Sequence, residues 1–202
     1  MDYREQAKSR VRALLDELRL FLRDSPNRKL SESDTKAYFV DPLLSALGFS
    51  SMRDITREYY VRDSREFVDY MLYVAGNATM VVEAKQLQHN LDARDAAQLV
   101  QYATIEGLEW SALTNGRRFQ IYNTYLKAPL VGKLVADWDL LAFSTDAEFD
   151  AVFDDLWMLS KDSLATPAGI SAWMDKRRID TAMRSVPSST THQFAPAISK
   201  HY

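Results

Sequence analysis

The stretch DYMLYVAGNATMVVEAK, residues 69–85, decides how this chain folds. Two runs of β-branched, aromatic and apolar residues flank the turn residues Gly76 and Asn77, so the stretch reads as a β-hairpin. Its charges sit at the far ends, with Asp69 opening the first arm and Glu83 and Lys85 closing the second. Side chains alternate along a strand, so Val68, Tyr70, Leu72 and Val74 share one face of the first arm, and Phe67, Asp69, Met71 and Tyr73 the other. In the second arm Met80, Val82 and Ala84 divide likewise from Val81, Glu83 and Lys85. Whether Asp69 joins the other two charges depends on register. A two-residue Gly76-Asn77 loop sets Asp69 opposite Ala84 and scatters the charges, whereas a three-residue Ala75-Gly76-Asn77 loop or a single bulge sets it opposite Glu83. The second register is expected, because Gly or Asn suits the left-handed position it needs.

In that register two carboxylates about 5 Å apart across the strands can share a hard divalent cation, Mg2+ or Mn2+, which prefers oxygen ligands. Lys85 beside them would orient a water or stabilise developing negative charge. Spacing alone is equally satisfied by an ion pair at a sheet edge. The apolar character of YMLYV and MVV on both faces points instead to central strands, where charges are costly unless they serve a purpose.

Outward from the hairpin, ITREYYVR, residues 55–62, supplies a preceding strand, making a three-stranded meander with a turn at Asp63-Ser64. LDARDAAQLVQYATIEGL, residues 91–108, returns to a helical pattern. WSALTNGRRFQIYN, residues 110–123, is a second hairpin around Asn115-Gly116. Upstream, Val11, Leu14, Leu15, Leu18 and Leu22 recur at helical spacing over residues 3–24. A second helix starts at the capping residues Ser31 and Asp34 and stops at Gly48, with Pro42 expected to kink it or restart it on Asp41. Residues 124–180 read as mostly helical, with a capping box at Thr145 and Glu148 ahead of the face Phe149, Val152, Phe153, Leu156 and Trp157. The expected divisions are an amphipathic helix over 1–28, an α/β core over 29–124, a C-terminal helical extension over 125–184 and a flexible tail over 185–202.

Composition narrows the function classes. With 202 residues, one sizeable core is expected. Zero cysteines exclude cysteine metal sites and nucleophiles and match a reducing cytoplasm. MDYREQAKSR is charged with no apolar run behind it, so no signal peptide is expected, and no stretch approaches the roughly 18 apolar residues of a membrane span. A net charge of -3 argues against a wholly basic polyanion binder but leaves room for a local basic groove. His89, His192 and His201 are scattered, without the spacing of a zinc hydrolase, and no G-x-S-x-G elbow is present. Arg117, Arg118 and the run Lys176, Arg177 and Arg178 could contact phosphates, although a solvated charged face explains them more simply.

Asp69 followed by Glu83-Ala84-Lys85 resembles the D…(D/E)-x-K pattern of the restriction-endonuclease-like superfamily, PD-(D/E)xK. The wider order SESDTKAYFVDPLLSALGF, REYYV, FVDYMLYV, VVEAK, QLVQY and ALTNGRRFQIYN is similar to the N-terminal nuclease domain of type I restriction enzyme R (HsdR) subunits, over roughly residues 30–124. The resemblance implies an α/β fold, a mixed sheet flanked by helices in the order αβββαβ, here with N- and C-terminal helical extensions. It implies that Asp69 and Glu83 ligate the metal, that Lys85 is the catalytic lysine, and that Gln98 and Tyr102 form the family's Q-x-x-x-Y motif. One helical turn separates the last two, so both face one way. Glu32 and Glu58 fall where an auxiliary acid can occur, though helix-terminus charge and strand-edge solubility are the simpler roles. The chain's six glycines include no pair five apart, hence no phosphate-binding G-x-x-x-x-G-K-[ST] loop and no motor within these residues.

The function implied is Mg2+-dependent hydrolysis of DNA phosphodiester bonds in restriction or another defence against foreign DNA. Expected partners are DNA and restriction subunits that supply specificity or a motor; a homo-oligomer is compatible with the pattern. The alternative is a non-catalytic nucleic-acid-binding or assembly module that keeps the nuclease fold and is indifferent to Mg2+. A purely structural partner would instead use the amphipathic faces at 11–22 and 149–157.

Overall fold

The computed structural model describes residues 2–166 and 169–175. Helix α1 spans Tyr3–Asp24 and buries Ala7, Val11, Leu15 and Leu18 on one stripe. Ser31 then caps α2 (Glu32–Thr35) in a reciprocal capping box with Asp34. A π-helical segment, Lys36–Val40, leads without a break into α3 (Asp41–Ala46). Pro42 therefore does not restart the helix on an Asp41 cap: Asp41 has helical dihedrals, and its N–H bonds to the Lys36 carbonyl five residues back. The wider π turn absorbs the proline that an unbroken α-helix would reject.

Five strands follow the meander and hairpin pattern, β1 (Ile55–Val61), β2 (Glu66–Val74), β3 (Asn77–Ala84), β4 (Trp110–Thr114) and β5 (Arg118–Asn123), and a sixth, β6 (Leu134–Asp139), joins them. They form one mixed sheet in sequence order. β3 and β4 run parallel and the other neighbours antiparallel. The parallel pair is joined by α4 (Ala93–Ile105), as a parallel connection requires a crossover. The architecture is α/β, a mixed six-stranded sheet flanked by helices.

Beyond β5 come α5 (Leu130–Lys133), β6, α6 (Asp146–Trp157) and α7 (Lys161–Leu164). Residues 125–184 are thus not a purely helical extension, because LVADWD adds an edge strand. The reason is tertiary: β5 offers an open edge, and Arg117 and Arg118 pair with Asp139 and Asp137 across it at 2.5 and 2.6 Å. Nor is α1 a separate unit. Together α1, α3 and α6 cover one sheet face in a single cluster that includes Leu15, Leu44, Tyr70, Val82, Phe119 and Phe153. The faces at 11–22 and 149–157 are therefore spent on the chain's own core. Helix α4 covers the opposite face over Met71, Val81 and Leu113. Val68 lies in this second cluster and not with Tyr70, so the alternation along β2 slips at Asp69, facing the β1 distortion where Glu58 has φ +48°. The tail 185–202 lies outside the described residues.

The β2–β3 turn is Ala75-Gly76, both residues left-handed at φ +49° and +80°, with Val74 paired to Asn77. Two positive φ values define the mirror-image turn that matches strand twist and favours Asn-Gly, and Ala pays a steric penalty there. Ala75→Asn should raise stability by about 0.5–1 kcal/mol, read as a higher urea midpoint with an unchanged slope.

Candidate active site

The turn by itself would set Asp69 opposite Val82. A bulge moves it: pairing shifts between Leu72 and Tyr73, leaving Thr79 as an extra residue, and thereafter Leu72 faces Met80 and Tyr70 faces Val82. Continued one residue, that register sets Asp69 opposite Glu83, the arrangement expected from the single-bulge reading. The two side chains meet near the start of β2 and the end of β3, on inner strands of the sheet. They are 11% and 12% exposed, far drier than an edge ion pair.

Each carboxylate is held by backbone and by its own ammonium. Asp69 Oδ2 accepts the Ala84 N–H at 2.8 Å and Oδ1 accepts Lys36 Nζ at 2.6 Å. Glu83 Oε1 accepts Lys85 Nζ at 2.8 Å, and Oε2 lies 3.4 Å from the Asp69 N–H. Burial and then the Asp69 charge push the Glu83 carboxyl above the usual range, against the pull of Lys85. Ionised Glu83 is thus a cost to the fold: stability is greatest where Glu83 is protonated and falls as pH rises through its folded value. Burial pulls Lys85 down, but its hydrogen bond to Glu83 and the acids around it outweigh that and leave it raised. Lys36 is raised in the same way by Asp69 and Glu32.

The helix bearing Lys36 is tied to the end of β3. Thr35 Oγ1 accepts the Leu87 N–H at 3.0 Å, and Gln88 accepts the Leu30 N–H and donates to the Arg28 carbonyl. Gly116, at φ +84°, lets the β4–β5 turn press on this helix, since a Cβ there would stand 3.2 Å from both Thr35 and Phe39.

Gln98 and Tyr102 face one way from α4, but their direct partner is Glu66 at the start of β2. Tyr102 donates to Glu66 at 2.5 Å and accepts from Gln98 at 2.5 Å. Burial, then Glu66, raises the Tyr102 phenol well above its ordinary value. Glu32 pairs with Lys36 at 3.2 Å. Glu58 stands on the edge strand, beside the same cleft as Asp69 and Lys36. His89 is engaged by Asp95 at 2.6 Å, ahead of α4. Arg117 and Arg118 are taken up by β6, while Lys176, Arg177, Arg178, His192 and His201 lie outside the described residues. Sequence reasoning missed Lys36 and Glu66. Lys36 carried a signal in its position four after Glu32 on a capped helix; Glu66 carried none apart from tertiary contact.

The donor set suits Mg2+ or Mn2+: two carboxylates with oxygen donors, next to a lysine cation that already sits against one of them. Among the described residues no three Asp, Glu or His side chains converge, so such an ion would keep several waters or take substrate oxygens.

The family model for the N terminus of type I restriction enzyme R protein (HSDR_N) matches residues 31–131. This chain belongs to that family. No curated protein matches it. Among solved structures it is similar to a fragment described as an HsdR subunit of a type I restriction enzyme from Vibrio vulnificus YJ016, at 19% identity and a TM-score of 0.44. That match covers 69% of this chain and 33% of the other, so the chain spans about a third of that relative's length. The matched region takes in the helix with Lys36, the whole meander, α4 and the β4–β5 hairpin. Among the described residues no helix is long and apolar enough to cross a membrane.

The Glu66 carboxyl is lowered by its bonds from Tyr102 and Gln98. Its ionisation therefore adds stability above the ordinary glutamate value, and that stability is lost as pH falls through the folded value. Tyr102→Phe should lower the thermal midpoint at pH 7, and the gap from the unsubstituted protein should narrow in acid as Glu66 protonates. A gap constant from pH 3 to 8 would refute the linkage.

Proposed function

We propose that the domain is a metal-dependent deoxyribonuclease, hydrolysing DNA phosphodiester bonds as part of restriction of foreign DNA. The observation that carries this is the placement of Asp69 and Glu83 opposite each other in a dry, central part of the sheet with Lys85 on the Glu83 carboxylate. Membership of the restriction R-protein family supports the DNA substrate and a role among restriction subunits.

In this reading Asp69 and Glu83 hold Mg2+ or Mn2+, which supplies Lewis-acid polarisation of the phosphate and a more acidic bound water. Lys85, kept protonated by its acidic surroundings, orients the attacking water or meets the charge that builds on the phosphoryl oxygens. Tyr102 and Gln98 fix Glu66 against α4. The net charge of -3 means that DNA affinity relies on the ion and on local cations more than on the overall field.

Purified protein incubated with supercoiled and linear DNA should cut in Mg2+ or Mn2+ and stop in EDTA. Asp69→Ala and Lys85→Ala should each lower the rate by about 100-fold or more, with circular dichroism unchanged. Cleavage that survives both substitutions would place the chemistry elsewhere. DNA binding that is indifferent to Mg2+ and to Lys85→Ala, without cleavage, would favour a binding module.

A further inference from the structure

The feature the nuclease reading does not use is Lys36. Asp69 Oδ2 accepts the neutral Ala84 N–H at 2.8 Å, whereas Oδ1 is held by the charged Lys36 Nζ at 2.6 Å, so a second cation on this carboxylate must compete with that ammonium. Lys36 opens the π-helical segment, whose extra residue per turn rotates it relative to the core-facing Val40 and Leu43 that follow. The same ammonium is 3.2 Å from Glu32 Oε1, a second acceptor one turn back on its own helix. Lys36 and Asp69 together line a cleft of about 200 Å³, with Ser33, Arg57 and Glu58 among its other walls, through which a cation can reach the pair.

Resting on the metal-site reading above, we propose that Lys36 is an internal counter-ion for Asp69 that a divalent cation must displace onto Glu32. A nearly dry carboxylate without a partner would be costly, so some cation is needed before the metal arrives. A lysine serves because its ammonium is a point charge on a flexible stem that can leave without moving the backbone. Lys36 stabilises the metal-free fold and weakens metal affinity by the same interaction. Glu32 favours the metal-bound state by receiving the displaced ammonium.

The test is calorimetric titration of the full chain with Mn2+, together with thermal unfolding in EDTA and in saturating Mn2+. Lys36→Met should bind Mn2+ about tenfold more tightly and melt lower than the unsubstituted protein in EDTA, with the difference closing in Mn2+. Lys36→Arg, which restores the charge, should bind no more tightly than the unsubstituted protein. Glu32→Gln should bind several-fold more weakly. Lys36→Gln replaces Lys36→Met if the latter loses its circular dichroism signal. Mn2+ affinity abolished by Asp69→Asn but unchanged or weakened by Lys36→Met would overturn this inference alone. Failure of the unsubstituted protein to bind Mn2+, or binding unaffected by Asp69→Asn, would overturn the metal site and this inference with it.

Discussion

A single extra residue in β3 governs the candidate site. The Ala75-Gly76 turn fixes one register at the hairpin tip, and the bulge at Thr79 converts it to another before the strands reach the charges. Because side chains repeat every two residues, a one-residue slip would turn Asp69 against an apolar neighbour and leave Glu83 unpaired across the strand. The same bulge keeps Tyr70, Leu72, Met80 and Val82 on the face that α1, α3 and α6 cover, so core packing and site assembly specify the same register. Neither can be altered without the other.

The carboxylate pair sits in surroundings that oppose its charge. Apolar clusters lie on both faces of the central strands, and the Glu83 carboxyl is raised by burial and by Asp69. The protein offsets this with two ammonium groups from different elements, Lys85 on the same strand and Lys36 on the helix ahead of the sheet. Counting Glu32, these five side chains form a compact array in which every carboxylate has a lysine. Such an array carries a desolvation cost that a purely structural core would avoid.

Helix caps, the strand-turn alternation and the order of elements up to β5 were legible because each rests on local chemistry. Ser31 with Asp34, Thr145 with Glu148 and the Asn115-Gly116 turn act over three or four residues, and each stands where its spacing placed it. The faces of α1 and α6 were legible as amphipathic, while their target was not, since a stripe of leucines does not say which surface it will cover. The helical reading of LVADWD failed because a six-residue strand at an edge is stabilised by its neighbour's hydrogen bonds and by the Arg118–Asp137 and Arg117–Asp139 pairs, none of which is encoded locally. The restart on Asp41 failed for a related reason: the π turn ahead of Pro42 is a rearrangement of backbone bonds within a helix already anchored by Phe39, Val40 and Leu43.

By itself the sequence determined the chemistry available, namely two acids and a lysine at hairpin positions that a bulge can bring together, because residue type and a period of two suffice to place them. Only the tertiary structure decided that the bulge is there, that Lys36 reaches Asp69 across 33 residues of chain, and that Gln98 and Tyr102 engage Glu66 first. Those contacts join elements distant in sequence, so they follow from packing and not from any local pattern.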